Sequence, residues 1–377
     1  MAAQPCARCP RRLPPVEAGP VTLFRYLLRA YAARILGALL GAWVLLLVAD
    51  LTDLGSALAR RPEGLRLVLE LYAKKTPWLL LQALPLAALL GVTLTVAAWA
   101  RSRELVALRA AGAGPLRLAL PALVLLAALS GGAAIAAAGP VPHLMKAVVH
   151  IQTRKLQRFT YAWTLAHKPR HWLVAPDGAL LHVERVLDSG RRLEGLARLD
   201  FDGGHLRRLA TAPRLEWDGA RWTGPEGSVW TFTDLERVRF EHGALALALD
   251  PRYFGGIPGL PEELTTAELD AAVALYAQQG RDTVALRVER ASRPAMAFLP
   301  LAAGLLALGL CLGVRSPASP LEAAMGAVLT ALVVWTALAL ARAAGLAGMV
   351  APGVSAWTAD LLAGVAGLAL LLVGRGR

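Results

Sequence analysis

The chain has 377 residues, 56% hydrophobic and only 6% aromatic, with a formal net charge of +13. An apolar share above the roughly 45–50% of ordinary soluble domains excludes a simple globular domain. The basic excess is almost all arginine and gathers at the ends of apolar runs, which fits membrane flanks and argues against nucleic acid as a partner.

Residues 1–23 read as a disordered N-terminal extension. Cys6-Ala-Arg-Cys9 has metal-knuckle spacing, but no second Cys/His pair lies nearby. No apolar core follows the early arginines, so the first span is itself the expected targeting signal. Residues 24–139 then carry three apolar runs, Ala32–Asp50, Pro77–Ala100 and Leu116–Ala138. Residues 294–377 carry three more, Pro294–Val314, Leu321–Ala343 and Ser355–Val373. Each is close to the roughly 20 residues a bilayer span needs. Pro85, Pro121 and Pro300 fall inside these runs and are tolerated in a membrane bundle. The expected fold is an α-helical polytopic membrane protein of six transmembrane helices, with a large polar insert between the third and the fourth.

Arg25, Arg29 and Arg34 open the first span, Arg101, Arg103, Arg109 and Arg117 separate the second from the third, Arg315 follows the fourth, and Arg375 and Arg377 close the chain. By the positive-inside rule both termini are expected in the cytoplasm. The loop between spans one and two opposes that rule with Arg60, Arg61, Arg66, Lys74 and Lys75.

Residues 140–260 are the expected β domain, and between Thr160 and Leu249 they alternate in polarity. Turn signals recur at Pro176-Asp177-Gly178, Asp188-Ser189-Gly190, Asp202-Gly203-Gly204, Asp218-Gly219 and Pro225-Glu226-Gly227. Short period-two runs with such spacing predict an antiparallel sandwich or jellyroll. His167 and His171 have a ligand-like spacing, but four residues apart on a strand are too distant to share a metal. Residues 261–293 form an expected helical connector. A capping box opens its helix at Thr265 with Glu268, Leu269, Val273 and Tyr276 supply its apolar face, and Gly280 ends it.

The stretch RSRELVALRAAGAGPLRLALP, Arg101–Pro121, stands between two apolar runs. Ser102 is the expected N-cap, Glu104 falls in the first turn and Arg109 in the last, each suited to the helix dipole. Leu105 and Leu108 make an apolar strip, and Gly112, Gly114 and Pro115 end the helix and start the next. A short amphipathic coupling helix over 101–113 is predicted, either a solvated loop helix or a docking site for a cytoplasmic partner.

This stretch resembles the cytoplasmic coupling segment of the LptF/LptG (YjgP/YjgQ) permease family, which exports lipopolysaccharide. LLLQALPLAALL (79–90) resembles the family's second span. RVERASRPAMAFLPLAAGLLALGL (287–310) resembles its fourth, with Arg290 four residues before Pro294. VRSPASP (314–320) sits where the family has its second short cytoplasmic loop, and APGVSAWTADLLAGVAGLALLLVG (351–374) resembles its last span.

The resemblance implies a periplasmic β-jellyroll inserted between helices three and four. It implies a heterodimer with a paralogous permease, a separate LptB-type ATPase dimer, an LptC-like membrane-anchored protein, an LptA-like periplasmic bridge, and lipopolysaccharide as cargo. Arg101, Arg103, Glu104, Leu105, Leu108 and Arg109 would meet the ATPase. The chain has no phosphate-binding GxxxxGK[ST] loop, so ATP hydrolysis is expected in that separate subunit, and no cofactor is expected. Arg60, Arg61, Lys74, Lys75 and, further along, Arg290 are candidates for the lipid phosphates. Trp43, Leu46, Trp78 and Leu81 are candidates for an acyl-chain cavity. One departure stands out: some family members carry a lysine near the outer end of the first span, where VADLTDLGSALARR (48–61) has Asp50 and Asp53. The competing reading is a membrane-anchored envelope sensor or scaffold with a ligand-binding β domain.

Overall fold

A computed structural model describes residues 20–58, 64–151, 171–225, 227–234, 237–243, 247, 249–255, 261–314, 316–317 and 319–373. Cys6, Cys9, Arg60, Arg61, His167, Arg315, Arg375 and Arg377 lie outside the described residues. The helices are α1 (Pro20–Leu58), α2 (Gly64–Arg101), α3 (Glu104–Ala110), α4 (Pro115–Ala138), α5 (Pro140–His150), α6 (Pro251–Gly255), α7 (Thr266–Gln278), α8 (Val284–Leu308), α9 (Pro320–Leu346) and α10 (Pro352–Val373). Six of these, α1, α2, α4, α8, α9 and α10, are long and apolar enough to cross a bilayer.

Each span outgrows the apolar run that announces it. α1 has 39 residues and α2 has 38. At 1.5 Å per residue either is nearly twice as long as the ~30 Å hydrocarbon core, so both project beyond it. The fourth span begins at Val284 rather than Pro294. The residues between belong to its helix, because hydropathy marks where the bilayer ends and not where the backbone hydrogen bonds end. Pro77, Pro85, Pro121, Pro294 and Pro300 all sit inside continuous helices.

The main core is built where α1, α2, α4, α8, α9 and α10 meet. Tyr31, Ile35, Leu89, Val92, Trp99, Leu118, Leu126, Leu308 and Leu371 are all buried there. Tyr31 and Trp99 pack edge-on, with ring centroids 5.1 Å apart. α8 and α10 approach closely enough that side chains would not fit between them. A Cβ on Gly367 would lie 2.5 Å from the Leu305 carbonyl carbon, and one on Gly309 would meet the Gly367 carbonyl. Glycines at such crossings let two backbones touch, which replaces hydrophobic packing inside lipid.

Among the described residues the polar insert forms one antiparallel sheet. Its strands are β1 (His171–Val174), β2 (Leu180–Leu187), β3 (Arg192–Asp202), β4 (His205–Trp217), β5 (Trp222–Thr223), β6 (Gly227–Asp234) and β7 (Arg237–Gly243). They pair in the order β1-β2-β3-β4-β6-β7, with β5 on β4. The expected turn signals at 176–178, 188–190, 202–204 and 218–219 fall at the joints between strands. At Asp202-Gly203-Gly204 both glycines have positive φ, 57° and 84°, the backbone that a tight hairpin requires. β1 to β4 follow a meander, and β4 then pairs with both the short β5 and β6, which pairs β7. One face buries Leu173, Leu181, Val183, Leu193, Leu196, Ala210, Ala212 and Leu215, and Tyr253 and Phe254 of α6 cover it. On the other face Trp172 and Phe201 are about half exposed.

Residues 140–150, grouped with the sheet by polarity, are helical instead. Gly139 breaks α4, and Pro140 starts α5 at a position where its missing N–H costs nothing. α5 folds back on α2 through Val141, Met145 and Val148. The capping box at Thr265 and Glu268 forms as expected. Glu268 also receives Lys146 Nζ of α5 at 2.5 Å. That hydrogen bond, with the Thr265 amide, holds the Glu268 carboxyl down at about 2. The Val174 amide donates to the Gln279 carbonyl at 3.1 Å and ties the sheet to the end of α7.

Gly367→Val tests the backbone contact. It places methyl groups where carbonyl atoms of α8 already stand, and overpacking of this kind typically costs about 1–3 kcal/mol. Thermal unfolding in detergent should show that loss. Gly364→Val, on the same helix where a Cβ meets nothing within 4 Å, should leave the transition in place.

Candidate functional site

Two places bring charged groups together, one at each end of the bundle. The first is the α2–α3–α4 turn. α2 runs to Arg101, and the Ser102 amide still donates back to Ala98 at 3.0 Å. Ser102 therefore finishes the long helix and does not cap the short one. Arg103 precedes α3 instead, in a left-handed conformation with φ 60°, ψ 8° and no side-chain cap. The coupling helix is thus 104–110, shorter than the 101–113 expected. Gly112 leaves it with φ 82°, and Pro115 opens α4.

α3 is bolted to the bundle in three ways. Leu105, 4% exposed, enters the core, and Leu108 packs against it. Tyr26 of α1 donates its hydroxyl to Glu104 Oε2 at 2.8 Å. Arg109 donates Nη2 to the Leu312 carbonyl at 3.2 Å. That carbonyl lies in Gly309–Val314, the widened turn that ends α8. The Leu105–Leu108 strip thus anchors the segment, while Arg101, Arg103 and Arg109 are exposed. Val106, 66% exposed, is the apolar side chain this segment presents outward. Sequence reasoning missed both Val106 and Tyr26. No pattern within one helix could link Tyr26 to a residue 78 positions away.

The second place is at the sheet end of the bundle, where a cavity of about 330 Å³ opens between α2, α4, α5, α8, α9 and α10. Trp78 and Leu81, two of the expected acyl-contact residues, line it together with Met296, Trp335 and Leu338. Trp43 and Leu46 pack beside Trp78 and Leu81 in the neighbouring α1–α2–α5 cluster. Glu289, Arg293 and Arg342 also line the cavity. Arg342 of α9 donates Nη2 to Glu289 at 2.9 Å, and Arg293 stands 3.7 Å from the same carboxylate. Arg293 further donates to the Pro261 carbonyl at 2.7 Å. Sequence reasoning passed over these three. A lone arginine in VVWTALALARAAGL was the available signal, since ionisable groups in spans seldom serve packing alone.

Of the cations proposed for phosphate, the described ones, Lys74, Lys75 and Arg290, each pair with a carboxylate of this chain. Lys74 pairs with Glu70 at 2.8 Å, one turn away on the same helix. Lys75 is 8% exposed. It pairs with Asp50 of α1 at 2.6 Å and stands 5.7 Å over the Trp78 ring. Arg290 pairs with Asp270 of α7 at 2.9 Å. Asp50 thus has a defined job: it neutralises a lysine on the facing helix.

Residues 25–373 match the family described as lipopolysaccharide export system permease LptF/LptG. The chain belongs to that family. A comparison with individual curated proteins gives no match. As an LptF/LptG permease the chain is a transport component of lipopolysaccharide export and a multi-pass protein of the inner membrane.

The Asp50–Lys75 pair can be tested directly. Asp50→Asn leaves a buried ammonium without its carboxylate, a loss of about 3–5 kcal/mol. The double variant Asp50→Asn/Lys75→Met removes both charges and should recover most of the lost thermal stability in detergent. If the double variant is as unstable as the single one, the ion pair does not hold α1 to α2.

Proposed function

We propose that this permease forms the membrane part of an ATP-driven lipopolysaccharide exporter together with a paralogous LptF/LptG chain. An LptB-type ATPase dimer docks on α3 from the cytoplasm. Both termini lie on that side, and the sheet lies in the periplasm. Lipopolysaccharide is drawn from the outer leaflet of the inner membrane into an apolar space between the two permeases. It then passes along the sheet, whose jellyroll groove leads to an LptC-like membrane-anchored protein and an LptA-like bridge.

One observation carries this reading. α3 is bonded to two different spans, to α1 through Tyr26–Glu104 and to α8 through Arg109–Leu312. A displacement of α3 by a docked ATPase therefore reaches α8 directly, and α8 carries Glu289 and Arg293 at the cavity near its other end. Apolar side chains on α1 (Leu36, Leu40, Val44, Leu45, Val48) and α9 (Met325, Leu329, Leu332, Val333) are exposed. They are the surface available to a second permease or to lipid tails.

Two variants separate docking from folding at α3. Glu104→Ala should lower ATPase association roughly tenfold, the low end for a lost charge-assisted hydrogen bond. Tyr26→Phe removes the internal bond, keeps the carboxylate, and should preserve association. Equal losses in both would make Glu104 an internal bond and not a docking group.

Orientation is checked by cysteine labelling in a background lacking Cys6, Cys9 and Cys311. A membrane-impermeant maleimide should reach H205C, beside the β3–β4 turn, in cells with a permeabilised outer membrane. It should reach V106C only after lysis. The reverse pattern overturns the topology and the export route together.

A further inference from the structure

The last four carbonyls of a helix have no partner inside it. At the end of α8 two of them are met by side chains. Ser316, just beyond the helix, donates Oγ to the Cys311 carbonyl at 2.9 Å. Arg109 of α3, 203 positions away, donates Nη2 to the Leu312 carbonyl at 3.2 Å. One cap is thus local and the other is lent by a different element. A guanidinium suits the second place, because a cation is favoured at the C-terminal end of a helix dipole. Among the described residues this carbonyl is the hydrogen-bond acceptor of Arg109. The turn it caps, Gly309–Val314, is a π turn, a rare widening that occurs frequently at functional sites. The same turn is pressed against α10 with no side chain between. A Cβ on Gly313 would collide with the Leu370 carbonyl, and one on Gly309 with the Gly367 carbonyl. The π turn is therefore held by α10 through its backbone and by α3 through Arg109.

We propose that Arg109 is a positioning residue for energy coupling and not a docking group. It carries a movement of α3 into the π turn of α8 and, through Gly309 and Gly313, into α10. The inference rests on the reading of α3 as the ATPase dock, and it names the bond that links that dock to the spans. Arg101 and Arg103, also exposed, are left to face the ATPase. A crossing in which backbones touch has no soft side chains to absorb a shift, so the two helix ends move together between discrete arrangements. Without the guanidinium, α3 moves and leaves the end of α8 behind.

The test uses the full complex of this chain, its paralogous permease and the ATPase, in lipid vesicles. The readout is lipopolysaccharide extracted per ATP hydrolysed. R109A should lower that ratio about tenfold, the scale of one charge-assisted hydrogen bond. R109K keeps a cationic donor and should recover most of the loss. S316A removes the local cap from the neighbouring carbonyl and should leave the ratio at the wild-type value, which separates coupling from the stability of the helix end. Deuterium uptake over 309–314 gives a second readout: ATPase docking should change it in the wild type and not in R109A. Hydrolysis and extraction that fall in parallel in R109A, at an unchanged ratio, overturn the proposal. So does an R109A complex that sheds its ATPase or fails to assemble, because Arg109 is then a docking or folding group. An R109K protein no better than R109A, or an S316A protein as uncoupled, overturns it too. A wild-type chain that holds no ATPase overturns the docking reading and this one with it. A wild-type complex that exports, beside an R109A complex that exports as efficiently, overturns this inference alone.

Discussion

Within hydrocarbon a backbone N–H or C=O without a partner costs several kcal/mol, so the chain crosses only as continuous helix. The places where helices stop or loosen therefore show where the protein needs something other than a span. The widened turn at Gly309–Val314 is one of them. It sits at the end of α8, and the carbonyl of Leu312 there accepts from Arg109. A side chain of the coupling segment thus completes the backbone satisfaction of a span. That segment and the end of α8 are thus joined directly, by a side chain and a backbone carbonyl.

α8 is the element on which the rest converges. Its Gly309 lets α10 touch it backbone to backbone, and Gly367 returns the favour. Leu126 of α4 fills the space over Gly304 so closely that a methyl there would collide with it. Such contacts make α8 stiff against its neighbours, since packed cores shift between discrete arrangements and do not deform smoothly. The charged group of Glu289, Arg293 and Arg342 stands at one end of this rod and the Arg109 contact at the other. The Lys75–Asp50 pair does for α1 and α2 what glycine contact does for α8 and α10. It fixes which faces meet, through charge in place of close packing.

The sheet follows different rules because it is solvated. Its alternation gives one buried face, covered by Tyr253 and Phe254, and one open face with Trp172 and Phe201. Among the described strands β1 stands at one end of the pairing order. The sheet is tied to α7 by the Val174–Gln279 bond, and α7 to α8 by Arg290–Asp270. Arg290 is thus part of the joint between the sheet-bearing insert and the span α8.

The sequence by itself determined the six spans, the sheet-forming insert, its turns and the Thr265–Glu268 cap. All of these follow from local periodicity, hydropathy and turn chemistry, which operate over a few residues. It also determined the family, because the Arg101–Pro121 stretch is distinctive as a string. It placed the boundaries short, since hydropathy reports the bilayer and not the helix. Only the tertiary structure decided the partners of charges. Lys75 with Asp50, Glu104 with Tyr26, Arg342 with Glu289 and Arg109 with the Leu312 carbonyl are separated by 25 to 203 positions. Such pairing depends on which helix faces meet. In spans that are apolar on nearly every side, no sequence moment marks the inward face, so close backbone contacts and a few buried ion pairs made that choice.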